Sequence, residues 1–244
     1  MKQTKTIMGM PITVEIVDEM AQKNFFDLVF NYFRSVDRKF STYKKNSEIS
    51  KINRGEISPQ DYSLEMKTIF KLSLKTKKDS NGYFDIRHKD LIDPSGLVKG
   101  WAIQEAAKIL IKKGCRNFYI DAGGDVQVYG RNKEGKEWTV GIKNPLNQKQ
   151  IVKVLRVSNM GIATSGTYIR GKHIYNPING LDSDVVSLTV IGPNIYEADR
   201  FATAAFAMGR QGIWFIENKK GLEGYMIDKD GIATMTENFT KYVV

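Results

Sequence analysis

Asp199 and Thr203 lie four residues apart within EADRFATAAFAMG, residues 197–209. That spacing puts a carboxylate and a hydroxyl on one face of a helix. Alanines and large apolar residues occupy almost every other position, so the helix is one that a core would bury. Asn194, followed three residues later by Glu197, has the pattern of a capping box and starts the helix near Ile195, which makes Asp199 an interior residue. A buried carboxylate needs a partner. A basic side chain or a polar contact would serve. So would a metal, because a carboxylate and a hydroxyl are both hard oxygen ligands suited to Mg²⁺.

Three other segments are polar and rich in glycine. DPSGLVKGWA (93–102) brackets a glycine loop with Asp93 and Lys99 ahead of a helix. Such a loop presents backbone N–H groups to an anion, although a plain loop with a solvated lysine has the same composition. DAGGDV (121–126) ends a strand in paired glycines, which suit either a tight hairpin turn or close approach of a ligand. SGTYIRGKHIYNPING (165–180) carries His173 into Asn-Pro and Asn-Gly turns. Loops of this kind hold functional groups, but a lone histidine also serves structure. His88, in FDIRHKD, reads as a structural or surface residue.

The elements that would position these groups follow from periodicity. Residues 4–17 alternate as a strand, and 19–37 form an amphipathic helix striped by Phe26, Val29, Phe30 and Phe33. FSTYKKNSEISKINRG is a polar loop or short helix. Ser58-Pro59 opens a helix to about Lys78, LIDPSGLVKG reads as a loop, and 100–113 as a helix stopped by Gly114. Strands are expected at 117–121, 125–130, 137–142, 151–157, 160–164, 171–175 and 186–191, then a helix at 195–208. A short helix and a hairpin turning at Asp230-Gly231 complete the chain. Short strand-to-strand gaps imply an α+β fold with largely antiparallel sheets. No linker divides residues 1–244, which are expected to form one domain.

Composition narrows the function. Of 244 residues, one is cysteine and two are histidine, which excludes an internal disulfide and argues against zinc. Cys115 reads as a small core residue. No apolar run is long enough for a membrane span. Neither a signal core nor a lipid-attachment cysteine is visible, so a cytoplasmic location is expected. A net charge of +10 suits anionic ligands. Its lysines are scattered as on solvated faces, and no nucleic-acid motif accompanies them, so no nucleic-acid partner is expected.

The order of motifs resembles the ApbE family, the FAD:protein FMN transferases, in a short form. The resemblance is carried by MGM near the start, FSTYKKNSEISKIN, GYFDIR, DPSGLVKG, AGGD, WTVGIKNP, SGTYIRGKHIYNPING and ADRFATAAFAMG, from Met8 to Gly209. It implies a two-lobed arrangement around a flavin-binding cleft. It also implies Mg²⁺-dependent transfer of FMN from FAD, the substrate, to a Ser or Thr hydroxyl of an acceptor protein. The product is a phosphoester and AMP leaves. An FAD pyrophosphatase giving FMN and AMP, or a flavin-binding protein without catalysis, is the alternative on the same scaffold.

By the same resemblance the metal ligands are Asp199, Thr203 and the carbonyl of Gly96. Ala202 stands where some members place another oxygen side chain. Met8, Tyr43, Tyr83, Phe84, Asp85, Asp93, Lys99 and Tyr175 match flavin-binding positions, and His173 the catalytic histidine. The sequence departs from the family in three places. Asn176 replaces an aspartate, Arg87 and His88 replace small residues, and the stretch between Asp85 and Asp93 lacks several dozen residues found in longer members.

Overall fold

The computed structural model describes residues 1–167, 176–178 and 183–244. In chain order it contains the hairpin β1 (Lys2–Ile7) and β2 (Met10–Ile16), then α1 (Lys23–Phe40), a short α2 (Glu48–Asn53) and α3 (Leu64–Asp79). A two-residue hairpin, β3 (Arg87–His88) and β4 (Leu91–Ile92), precedes α4 (Ser95–Lys112). Next come β5 (Phe118–Ala122), β6 (Asp125–Tyr129), β7 (Trp138–Asn144), β8 (Asn147–Val157), β9 (Gly161–Gly166) and β10 (Val185–Gly192). The chain then continues through α5 (Ile195–Ala207), α6 (Gly212–Glu217), β11 (Glu223–Asp228) and β12 (Ala233–Met235).

Eight strands form one antiparallel sheet in the order β1-β2-β5-β6-β9-β10-β11-β12, and β7 and β8 pair separately. The expected α+β class with antiparallel sheets therefore holds. Strand alternation divides the core in two. Ala163, Val190 and Met226 join the helix-side core, while their neighbours Ile162, Ile191 and Ile227 join Trp138, Val140 and Leu155 of the β7–β8 hairpin on the other face. In β6, Val126 and Val128 go to the hairpin side. Asp125 and Gln127 consequently face the helices, where both are buried.

Two boundaries differ from expectation in ways that bear on function. Residues 95–99 are not a loop, since α4 begins at Ser95 and Lys99 stands in its second turn. Glycines lower helix propensity, but Gly100 is required by packing. A Cβ there would lie 2.5 Å from Asp199 Cβ and 2.8 Å from the carbonyl oxygen of Ile195. Its absence lets α4 cross α5 at backbone distance. Likewise the helix expected from Ser58-Pro59 begins at Leu64, because Ser63 caps it by accepting from the Met66 N–H at 3.2 Å, leaving only a 3-10 turn at Pro59–Asp61. Strand 171–175 lies outside the described residues.

The cap of α5 is as expected. Asn194 Oδ1 accepts from the Glu197 N–H at 3.0 Å. Gln127 Oε1 adds a second acceptor, taking the Ile195 N–H at 2.8 Å. Both helix-end donors are satisfied, and α5 is fixed against β6. Gly114, at φ +89°, ends α4, and Cys115 behind it is fully buried.

The crossing makes a stability prediction. Gly100→Ala overpacks the α4–α5 contact, an effect that costs about 1–3 kcal/mol. A fall in melting temperature of roughly 2–10 °C is expected for a chain of this size. An unchanged melting temperature would show that the helices separate without cost.

Candidate active site

A cleft of about 540 Å³ opens between the start of α4, α5, the end of β9 and the Tyr83–Ile86 segment. Asp199 and Thr203 of α5 and Gly96 and Lys99 of α4 line it, with Ser165 from β9. The Thr203 hydroxyl donates to the Gly96 carbonyl at 3.1 Å and lies 3.5 Å from Ser165 Oγ. A Cβ on Gly96 would sit 3.0 Å from Thr203 Cγ2, so a larger residue would crowd this contact. In a regular α-helix the Gly100 N–H would point to the Gly96 carbonyl. Here it donates to Asp199 Oδ2 at 2.7 Å.

Asp199 is 4% exposed. Burial raises its carboxyl well above the usual carboxylate range. The nearby Lys99 ammonium opposes that rise, the Asp125 carboxyl adds to it, and the Gly100 N–H opposes it. Asp125, from the AGGD turn, is 1% exposed and close enough for its carboxyl to raise that of Asp199. Its Oδ2 lies 2.7 Å from Lys99 Nζ and its Oδ1 accepts from the Thr164 N–H at 3.1 Å. Two buried carboxyls therefore share one ammonium. The expectation that Asp199 meets either a basic group or a metal is answered on one side by Lys99.

The other expected metal residues fit a hard cation in part. Gly96 O, Thr203 Oγ1 and Asp199 form an all-oxygen donor set of the kind Mg²⁺ takes. The buried acid pair supplies the negative charge. Among the described residues, no group of three or more His, Cys, Asp or Glu side chains forms a metal cluster. Ala202 adds no side-chain donor to the set. It is fully buried, is not among the residues lining the cleft, and its methyl carries no donor.

The expected flavin residues fall into two neighbouring spaces. Tyr83, Phe84, Asp85 and Asp93 line the large cleft. Phe84 is buried, and the Phe84 N–H donates to Ser80 Oγ at 3.0 Å, which holds the ring over Gly96. Asp85 pairs with Lys77 at 2.5 Å, and Asp93 Oδ1 accepts from the Ser95 N–H at 2.9 Å at the start of α4. Met8 and Tyr43 line a smaller recess of about 70 Å³ instead. Met10, Ser95 and Lys99 border both spaces. Met8 takes φ +57° in the tight β1–β2 turn, and Tyr43 is 92% exposed. His173 and Tyr175 lie outside the described residues.

Sequence reasoning missed Asp125 and placed His88 as merely structural or surface. His88 is exposed on the β3–β4 hairpin and borders the large cleft. For Asp125 a signal existed. It and Gln127 are polar at alternate positions of a strand whose other positions, Val126 and Val128, are apolar, so both must face one side.

The raised carboxyl gives a pH prediction for metal-free protein. A group whose folded pKa lies above its unfolded value contributes stability that is complete below the ordinary carboxylate range and lost as pH rises through the folded value. Asp199→Asn removes that dependence. Melting temperatures of the two proteins should diverge in favour of the variant as pH is raised from ~5 to ~9. A constant difference across that range would mean that Asp199 is ionised throughout.

A sequence model of the ApbE family matches residues 8–93 and 87–226. The two matched pieces overlap at residues 87–93, which hold the β3–β4 hairpin. The FAD:protein FMN transferase of Escherichia coli (strain K12) is 26% identical over 264 aligned residues, covering 82% of this chain and 75% of that protein. The Chlamydia muridarum FAD:protein FMN transferase is 25% identical over 276, covering 87% and 84%. The flavin transferase ApbE from Vibrio cholerae superposes with a TM-score of 0.85 at 21% identity, over 99% of this chain and 98% of that one. The ApbE protein of Thermotoga maritima does so with a TM-score of 0.85 at 20% identity, over 99% and 98%. The family match spans most of the chain and the fold agrees with it from end to end: the protein belongs to the ApbE family.

Proposed function

We propose that this protein is an FAD:protein FMN transferase that attaches FMN to a Ser or Thr hydroxyl of an acceptor protein. One observation carries the reading. An oxygen donor set (Asp199, Thr203, Gly96 O) and a lysine meet on the wall of a cleft bordered by Tyr83 and Phe84. That is the equipment for holding a pyrophosphate beside an aromatic ring system. The curated relatives bear the same activity in their names.

In the reaction, the acceptor hydroxyl oxygen bonds to the FMN-side phosphorus. The bond from that phosphorus to the bridging oxygen breaks, and AMP departs with the bridging oxygen. Catalysis of this type is mainly positioning and charge neutralisation. Lys99 meets the pyrophosphate oxygens, and Tyr83 and Phe84 border the ring systems. Gly96 O, Thr203 and Asp199 would hold Mg²⁺. When bound, that ion neutralises charge on the pyrophosphate and on the leaving oxygen. His173 takes the proton from the acceptor hydroxyl.

Asn176 keeps flavin binding without catalysis as a second reading, and hydrolysis on the same cleft is a third. Its Oδ1 accepts from the Ile178 N–H at 2.9 Å, and an amide provides no carboxylate to support the histidine. With water in place of the acceptor, the same cleft would yield FMN and AMP. Incubation with FAD, Mg²⁺ and a candidate acceptor separates the readings. Transfer adds the mass of FMN to the acceptor and releases AMP in equal amount. Free FMN with an unmodified acceptor indicates hydrolysis, and neither product indicates binding alone.

His173→Ala should lower transfer ~10²–10⁴-fold at saturating FAD while FAD affinity persists. Asn176→Asp should raise the rate. A full rate in His173→Ala together with a lowered melting temperature would remove the histidine from the mechanism.

A further inference from the structure

We propose that Asp125 is a positioning residue that fixes the Lys99 ammonium where a pyrophosphate must bind; the inference rests on the flavin-transferase reading above. Lys99 is a long, flexible cation on the second turn of α4, at the border of both the large cleft and the Met8–Tyr43 recess. A lysine free to sample its rotamers would divide its time between the two spaces, and ordering it costs side-chain entropy. Asp125 removes that freedom. Its Oδ2 lies 2.7 Å from Lys99 Nζ, and the carboxyl is 1% exposed.

The carboxyl is itself immobile. Its Oδ1 accepts from the Thr164 N–H at 3.1 Å, and Thr164 is tied across the sheet by its hydroxyl, 2.9 Å from that of Thr189. Strand pairing of β6 with β5 and β9 holds the backbone beneath it. The ion pair thus ties a helix-borne lysine to the sheet. A close ion pair whose carboxylate is almost wholly buried is strong enough to set geometry. Asp125 does not line the cleft, so it acts through Lys99.

The test uses ADP as the pyrophosphate probe and riboflavin as the ligand without phosphate, both measured by calorimetry on the full chain. Asp125→Asn is isosteric and keeps an acceptor for the Thr164 N–H. It should weaken ADP binding about tenfold or more, the scale of one close charge pair, and leave riboflavin binding unchanged. In a Lys99→Met background the same substitution should cause no further loss of ADP affinity, because two residues acting as a unit are not additive. An unchanged ADP affinity, an equal loss of riboflavin affinity, or a full further loss in the Lys99→Met background would each overturn the inference.

Should Asp125→Asn fail to fold by its melting curve, Lys99→Arg puts the same question. The longer guanidinium keeps the charge but cannot sit at the ammonium's place, so ADP affinity should fall. An undiminished affinity would show that charge alone suffices and would reject a positioning role. Wild-type protein that binds neither probe would sink the flavin-transferase reading itself. Binding of both probes with an indifferent Asp125→Asn sinks the positioning role only.

Discussion

The site depends on how closely α4 and α5 cross. At Gly100 the two backbones come near enough for a main-chain N–H of one helix to reach the Asp199 carboxyl of the other, 2.7 Å away. Any side chain there would occupy the space of Asp199 Cβ. The same approach brings the Gly96 carbonyl within 3.1 Å of the Thr203 hydroxyl one turn further along α5. Two glycines four residues apart on α4 thus face a carboxylate and a hydroxyl four residues apart on α5. The helical repeat sets both spacings, and the polar contacts line up because the helices cross where the glycines are.

A buried carboxyl tolerates such a place only with compensation, and the compensation is divided among three groups on two elements. The α4 backbone supplies a donor, the α4 side chain Lys99 supplies a charge, and β6 supplies Asp125, which holds that charge. The sheet takes part because of strand parity. Val126 and Val128 are needed by the core on the hairpin side, so Asp125 and Gln127 must turn to the helices. Gln127 fixes the start of α5 and Asp125 fixes Lys99. A pair of polar residues on one strand therefore sets both the position of the helix and the position of the cation.

Much of this was legible in the sequence. The capping pattern at Asn194 and Glu197 located the start of α5, and the four-residue spacing put Asp199 and Thr203 on one face. The Gly123-Gly124 pair located the turn between β5 and β6. The stretch 95–99 reads as loop in the sequence because propensity penalises glycine in a helix. What glycine contributes there, close approach to α5, is a tertiary property that no local window contains. The Lys99–Asp125 pair was hidden for the same reason. It joins residues 26 positions apart, and its geometry is set by how α4 lies on β6. The β3–β4 hairpin was missed because two-residue strands have no periodicity to detect. His88 reaches the cleft through that hairpin.

The distribution of charge along α5 shows why the acid pair is left to Lys99 and to whatever cation the cleft takes. Arg200 follows Asp199 directly and is as deeply buried, at 4% exposure. It nonetheless offers Asp199 nothing. Successive helical residues point about 100° apart, and Arg200 turns to α3. There it pairs with Asp79 at 2.8 Å and with Glu197 at 2.6 Å, and its guanidinium lies 3.9 Å from the centre of the Phe201 ring. Two carboxylates match that one cation. On the opposite side the balance is the same, two carboxyls to one ammonium, but with a difference in access. Arg200 is closed off by aromatic rings, whereas Asp199, Thr203 and Lys99 border an open cleft. A cation entering beside Gly96 and Thr203 would draw the Asp199 carboxyl toward its ionised form, because an opposite charge at close range favours it. It would also lessen the hold of the acid pair on Lys99, leaving the ammonium better able to meet an anion. The helix thus carries one charge cluster that is closed off in the core and one that opens onto the cleft.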